Sequence, residues 1–149
     1  MKKIILFVVC ALSIARIAAQ TEIKISPIPL LFGAGAISIE QGLAESFGLD
    51  LDVVLAEGFF GANLSGKYYF NPERGIDKFH IGMFLGIIGE DNVPGVGFLA
   101  GTKLISRKNL LFEVGLGIGR SFDGGGVGYG KLHIGYRFDK KAKVAAPTQ

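Results

Sequence analysis

The sequence predicts an all-β fold, an eight-stranded antiparallel up-and-down transmembrane β-barrel, and three observations point to it. First, residues 110–138 show apolar side chains with period two, twice over. Phe112, Val114, Leu116 and Ile118 alternate with Glu113, Gly115, Gly117 and Gly119, and after a glycine-rich turn Leu132, Ile134, Tyr136 and Phe138 alternate with Lys131, His133, Gly135 and Arg137. Successive strand side chains point to opposite faces, so this hairpin has one continuous apolar wall backed by a small, polar, charged face. Second, such runs of roughly ten residues recur about eight times, the smallest number that closes as a membrane-spanning barrel. Third, the charged face carries acids and bases in near balance, which suits a filled lumen with lipid on the apolar wall.

At 149 residues the chain has room for one domain of ordinary size. Only its front end is separable: Met1, Lys2 and Lys3 give a positive start, residues 4–15 an apolar run, and Ile17, Ala18, Ala19 and Gln20 small residues at a cleavage point. The run is shorter than the roughly 20 residues a spanning helix needs. The expected division is therefore a secretory signal peptide at 1–20, the barrel at 21–138 and a disordered polar tail at 139–149. Cys10, the single cysteine, lies in the signal, so no disulfide framework is expected. Lys2, Lys3 and Arg16 leave with it, and thirteen bases then face thirteen acids. No basic surface for nucleic acid remains.

The strands follow in order. Residues 22–32 make the first, despite Pro27 and Pro29; being two apart, both prolines present their missing N–H groups to the same neighbour. After a turn at 33–35, Ile37 and Ile39 alternate with Ser38 and Glu40. Leu49, Leu51, Val53 and Leu55 then alternate with Asp50, Asp52, Val54 and Ala56. A turn at 57–61 leads to Ala62, Leu64, Gly66, Tyr68 and Phe70 against Asn63, Ser65, Lys67 and Tyr69. Residues 71–78, with Pro72 and Gly75, read as a plain polar loop. Phe79, Ile81, Met83, Leu85 and Ile87 alternate with His80, Gly82, Phe84 and Gly86, and Val96, Phe98, Ala100, Thr102 and Leu104 alternate with Gly97, Leu99, Gly101 and Lys103.

Parity sorts the chemistry. The inward polar cluster is expected to hold Glu40, Asp50, Asp52 and Glu113 against Lys67, Lys103, Arg120, Lys131 and Arg137, with His80 and His133 among them. Eight strands leave an interior just wide enough for side chains, so this mixture predicts a paired polar core and not a water channel. Outward aromatics should collect at two heights, as rings do at headgroup level. Phe47, Tyr68, Phe70, Phe79, Tyr136 and Phe138 fall at one set of strand ends, and Phe32, Phe59, Phe60, Phe98, Phe122 and Tyr129 at the other.

With these features the chain resembles the small eight-stranded outer-membrane β-barrel proteins of Gram-negative bacteria, the OmpA/OmpX-like single-domain barrels. The resemblance spans residues 21–138. It implies export through a cleaved signal peptide to the bacterial outer membrane, a monomer surrounded by outer-membrane lipid, and recognition by the barrel-assembly machinery through the last strand, which ends Tyr136-Arg137-Phe138.

No chemistry stands out beside this. A hydrolase needs a serine, a histidine and an acid in hydrogen-bond reach, and no serine neighbours His80 or His133 in sequence. The glycines at 115, 117, 119 and 124–126 precede a strand and not a helix, so they do not make a phosphate cradle. No metal-ligand spacing is present. The expected role is structural or membrane-integrity, without catalytic site, cofactor or metal. The rivals are a soluble secreted or periplasmic lipocalin-like barrel with an apolar ligand inside, and a lipid A-modifying outer-membrane enzyme.

Overall fold

The structure, a computed structural model, describes residues 20–87 and 93–139. Its strands are β1 (Gln20–Ile25), β2 (Gly35–Ala44), β3 (Phe47–Ala56), β4 (Phe59–Tyr69), β5 (Lys78–Ile87), β6 (Pro94–Ile105), β7 (Leu110–Ser121) and β8 (Gly126–Asp139), with a short helix α1 (Pro27–Leu30) after β1. Each strand pairs antiparallel with the next and β8 pairs with β1, which closes an eight-stranded up-and-down barrel. Residues 1–19 of the expected signal, 88–92 between the strands that end at Ile87 and begin at Pro94, and 140–149 of the expected tail lie outside the described residues. Gln20 opens β1 and Asp139 ends β8. The end that holds both is called the lower end below.

The registers fix the stagger of the barrel. A row of paired residues runs Glu22, Glu40, Asp50, Ser65, Phe84, Gly97, Gly119, Val127, whereas the β8 partner of Glu22 is Arg137, ten residues away. Ten residues of stagger at about 3.3 Å each, over eight strands about 4.8 Å apart, tilt the strands by roughly 40°. A ten-residue strand at that tilt rises about 25 Å.

The first strand departs from the sequence expectation. It stops at Ile25, and residues 27–30 turn into α1 instead of extending to Phe32. The registers supply the reason. The Ser26 N–H donates to the Ala36 carbonyl of β2, so by alternation residues 27 and 29 face β8. Continuing the register beyond Ile25 and Ile134 would set Pro27 against Leu132 and Pro29 against Gly130. Neither proline has an N–H to give, so that ladder cannot form. At a helix start the missing donor costs nothing, and Pro27 stands at the first turn of α1.

The loop between β4 and β5 is also more than the expected polar connection. Ile76 and Asp77 are buried. The Asp77 carboxylate accepts the N–H groups of Glu73 (2.8 Å) and Arg74 (3.1 Å), folding the loop beneath the barrel. Arg74 then reaches across to the Ser106 carbonyl (2.7 Å) and Asn109 (3.1 Å). The Arg137 guanidinium donates to the carbonyls of Ile76 (2.8 Å) and Arg74, and the Gln20 amide donates to the Arg74 carbonyl (3.2 Å). One loop thus ties β1, β8 and the β6–β7 turn together and covers the lower mouth.

The polarity of the walls is reversed relative to a soluble barrel. Leu51, Leu55, Leu64, Met83, Leu85, Phe98, Leu104, Leu116 and Ile118 all stand exposed on the outer wall, while the buried set is mostly polar or charged. On β5 to β7 the inward wall is mainly glycine. The Phe84 ring fills the space there, so a Cβ on Gly97, Gly117 or Gly119 would press into it.

Candidate functional site

The candidate site is the lumen itself. Period two brings one side chain in every two residues of each strand to the axis. The structure buries Glu40, Asp50, Asp52, Lys67, His80, Lys103, Glu113, Lys131, His133 and Arg137 together there, along with Glu22 and Lys24. Five carboxylates therefore face five cations among the described residues.

These charges form a ladder from the lower end upward. Arg137 binds Glu22 through Nε (2.8 Å) and Nη2 (2.5 Å). Glu22 accepts from Lys103 (2.6 Å), which also donates to Glu40 (2.8 Å) and lies 4.7 Å from the centre of the Tyr69 ring. At the centre two ammonium groups share three carboxylates. Lys24 donates to Glu40 (2.6 Å), Asp50 (2.9 Å) and Glu113 (2.8 Å), and Lys67 donates to the same three at 3.0, 2.5 and 2.5 Å. Ser38 and Tyr69 hydroxyls donate to Asp50 and Glu40 at 2.5 Å each. Above them Lys131 joins Asp50 to Asp52 (2.9 Å). An ammonium has three protons to give, and for Lys24 and Lys67 the three carboxylates take all of them.

The arrangement decides what this centre can hold. Oxygens of Glu40, Asp50 and Glu113 approach within 4.8 Å of one another, a spacing that could hold a metal ion. The Lys24 and Lys67 ammonium groups already occupy the cation positions among them, so the donor set does not fit a divalent ion. The histidines make no catalytic pair. His80 Nε2 is 3.5 Å from Glu113 and stacks on Tyr69 with ring centres 4.9 Å apart, and His133 Nε2 is 3.6 Å from Asp52.

Arg120 corrects the sequence reading. It shares the parity of Phe112 to Ile118 and stands exposed at the top of β7, while its neighbour Ser121 turns inward. The alternation itself carried that information: even positions of β7 are outward. Glu22 and Lys24 were missed, although Ile23 and Ile25 alternate with them, because the prolines drew attention from the start of that strand. The buried Ile76 and Asp77 lie in a loop with no periodic signal.

Among the aromatic positions, Phe47, Tyr68, Phe70, Phe79, Tyr136 and Phe138 are exposed around the lower end, with Tyr68 and Phe70 edge to face at 5.1 Å and Tyr136 and Phe138 at 5.0 Å. Phe60 and Phe122 are exposed at the upper end, Phe98 in the upper part of β6, and Phe32 just beyond α1. The side chains of Phe59 and Tyr129 lie outside the described residues.

One small cavity, about 70 Å³, opens beside α1 at the upper end of the ladder. Ser26, Pro29, Ala36, Ile37, Asp52, Val53, Val54, Gly130 and His133 line it. A serine, a histidine and an acid thus meet at one cavity, but the Ser26 hydroxyl donates to the Leu132 carbonyl (2.8 Å). No protein-family model, curated protein or solved structure matches this chain.

Proposed function

We propose that this chain is an outer-membrane β-barrel with a structural or membrane-integrity role, exported through a cleaved signal peptide and inserted by the barrel-assembly machinery through β8. The observation that carries the reading is the inverted polarity: ten buried charges inside and an extensive exposed apolar wall outside. In water that wall would be a liability far larger than the few hundred Å² that soluble monomers expose. In a bilayer it meets lipid, and its height of about 25 Å matches the apolar band of such barrels. The sheet closes on itself from β1 to β8, so seven of its eight seams are paired along most of their length and only the upper edge of β8 beside α1 lacks a strand among the described residues.

The rival soluble ligand-binding barrel is poorly supported, because its ligand would have to enter a lumen packed with ion pairs. The enzymatic rival is less well supported, because among the described residues the serine that shares the cavity with a histidine, Ser26, gives its hydroxyl to the Leu132 carbonyl. The proposed barrel is monomeric, has no cofactor and does not conduct, since the ladder and the loop at 70–77 fill its bore.

The deciding experiment is fractionation of expressing cells, followed by electrophoresis of the membrane fraction with and without boiling. Enrichment with the outer membrane and a heat-dependent migration shift support the reading. Recovery as a soluble periplasmic protein with no shift overturns it.

A further inference from the structure

We infer that the wall beside α1 is a lateral binding site for the uncharged, hydroxyl-bearing head of a membrane amphiphile, which enters from the side of the bilayer and reaches His133. The inference rests on the membrane reading above and adds a ligand class to it.

The opening follows from the prolines. β1 pairs with β8 only up to Ile25 and Ile134, so residues 126–133 of β8 have no strand beside them on that edge among the described residues. The Ser26 hydroxyl donates to the Leu132 carbonyl, which shows that the backbone groups of Leu132, and by alternation those of Gly130 and Gly128, face the gap. Backbone groups without a strand partner are costly against hydrocarbon, so this edge favours a hydrogen-bonding occupant.

Among the described residues the gap is covered by α1, which packs against β2 and β8. The outer side of α1 and of the two residues after it is bare and apolar: Ile28 and Leu30 are exposed, and Leu31 and Phe32 are 81% and 82% exposed. The cavity behind it passes through the wall, because its lining mixes outward residues (Ile37, Val53, Gly130) with inward ones (Ala36, Asp52, His133). On the outer face a Cβ at Gly128 or Gly130 would meet nothing within 4 Å, so the mouth is open.

At the inner end His133 is 95% buried, and its Nδ1 has no hydrogen-bond partner. An imidazole nitrogen at the lining of a cavity can take a donor or acceptor from a guest, which the equally unpartnered His80, away from this cavity, cannot. The local charge selects the guest. Next to His133 the charges are already engaged, Asp52 with Lys131 at 2.9 Å and Lys131 with Asp50 as well, so the guest is an uncharged head that hydrogen-bonds, a hydroxyl. The cavity admits a head of a few heavy atoms, while an acyl chain attached to it would remain outside along Ile37, Leu31 and Phe32.

The chain contains two histidines, which makes the test direct. Full-length mature protein, folded in detergent micelles and carrying ¹⁵N-histidine, is titrated with 1-decanoylglycerol, with decane and with free glycerol. The His133→Gln variant assigns the signals, and His80, enclosed deep in the lumen, is the internal control. The expected result is a saturable shift of the His133 ring nitrogens with 1-decanoylglycerol alone, an unmoved His80, and loss of the shift in Gly130→Phe, whose side chain closes the mouth without touching the core. A silent His133 at saturation overturns the inference, as does an equal response to decane or to free glycerol, or a shift that survives Gly130→Phe. Each of these, in a protein that still shows heat-dependent migration, leaves the membrane reading standing. A protein with no such migration fails the membrane reading itself, and the lateral site with it.

Discussion

Lys67 lies within 3.0 Å of three carboxylates, and all four side chains are fully buried. Truncating one partner of a buried ion pair strands the other charge and costs about 3–5 kcal/mol. Lys67→Met should therefore lower the unfolding free energy of the barrel in lipid vesicles by about that amount, as read by urea titration. Adding Glu113→Gln removes one of the stranded charges, so the double variant should be more stable than the sum of the two single losses predicts. Additive losses would mean that the two groups act independently. Arg120→Ala is the matching control, because an exposed residue outside the ladder should change stability by no more than about 0.5 kcal/mol. Residue parity was legible in the sequence wherever a strand was uninterrupted, as at Asp50, Lys67 and Glu113. At Arg120 the charge suggests the lumen, whereas the parity it shares with Phe112 to Ile118 places it outside.

At the scale of elements, the stop of β1 was half legible. The spacing of Pro27 and Pro29 showed that both missing donors face one neighbour, but not that this neighbour is β8, which needs a register closed over 115 residues of chain, from Glu22 to Arg137. If the missing N–H groups end the strand, Pro27→Val with Pro29→Val should let β1 run on beside Leu132 and Gly130. Hydrogen exchange would then find slowly exchanging amides at positions 27 and 29; rapid exchange at both would show that something other than the prolines ends β1. The glycine wall of β6 and β7 is a second element-scale device. A Cβ on Gly97 would be driven into the Ile118 carbonyl and the Phe84 ring, so Gly97→Val should destabilise the folded barrel by about 1–3 kcal/mol or more, the usual cost of overpacking. The loop at 70–77 was not legible at all, because its order comes from long-range bonds of Arg74, Asp77 and Arg137 and not from any local pattern.

For the molecule as a whole, the question is which medium the outer wall meets, and one substitution asks it directly. Leu116 lies near the middle of β7 and Leu51 near the middle of β3, both on the exposed apolar wall. In a bilayer these positions fall near the midplane, where an arginine costs about 2–4 kcal/mol, falling toward zero at the interfaces. Leu116→Arg and Leu51→Arg should each destabilise the protein in vesicles by that amount, whereas an arginine in place of Phe122, beyond the end of β7, should cost far less. The depth dependence is the discriminating part. On a barrel whose outer wall faced water, arginine at an exposed site would be nearly neutral at every height, because the guanidinium would simply be hydrated. Equal and small effects at Leu51, Leu116 and Phe122 would therefore remove lipid from the outer wall. The lumen would then have to be explained as a charged core inside an apolar shell in water, an arrangement the hydrophobic effect opposes on both of its faces.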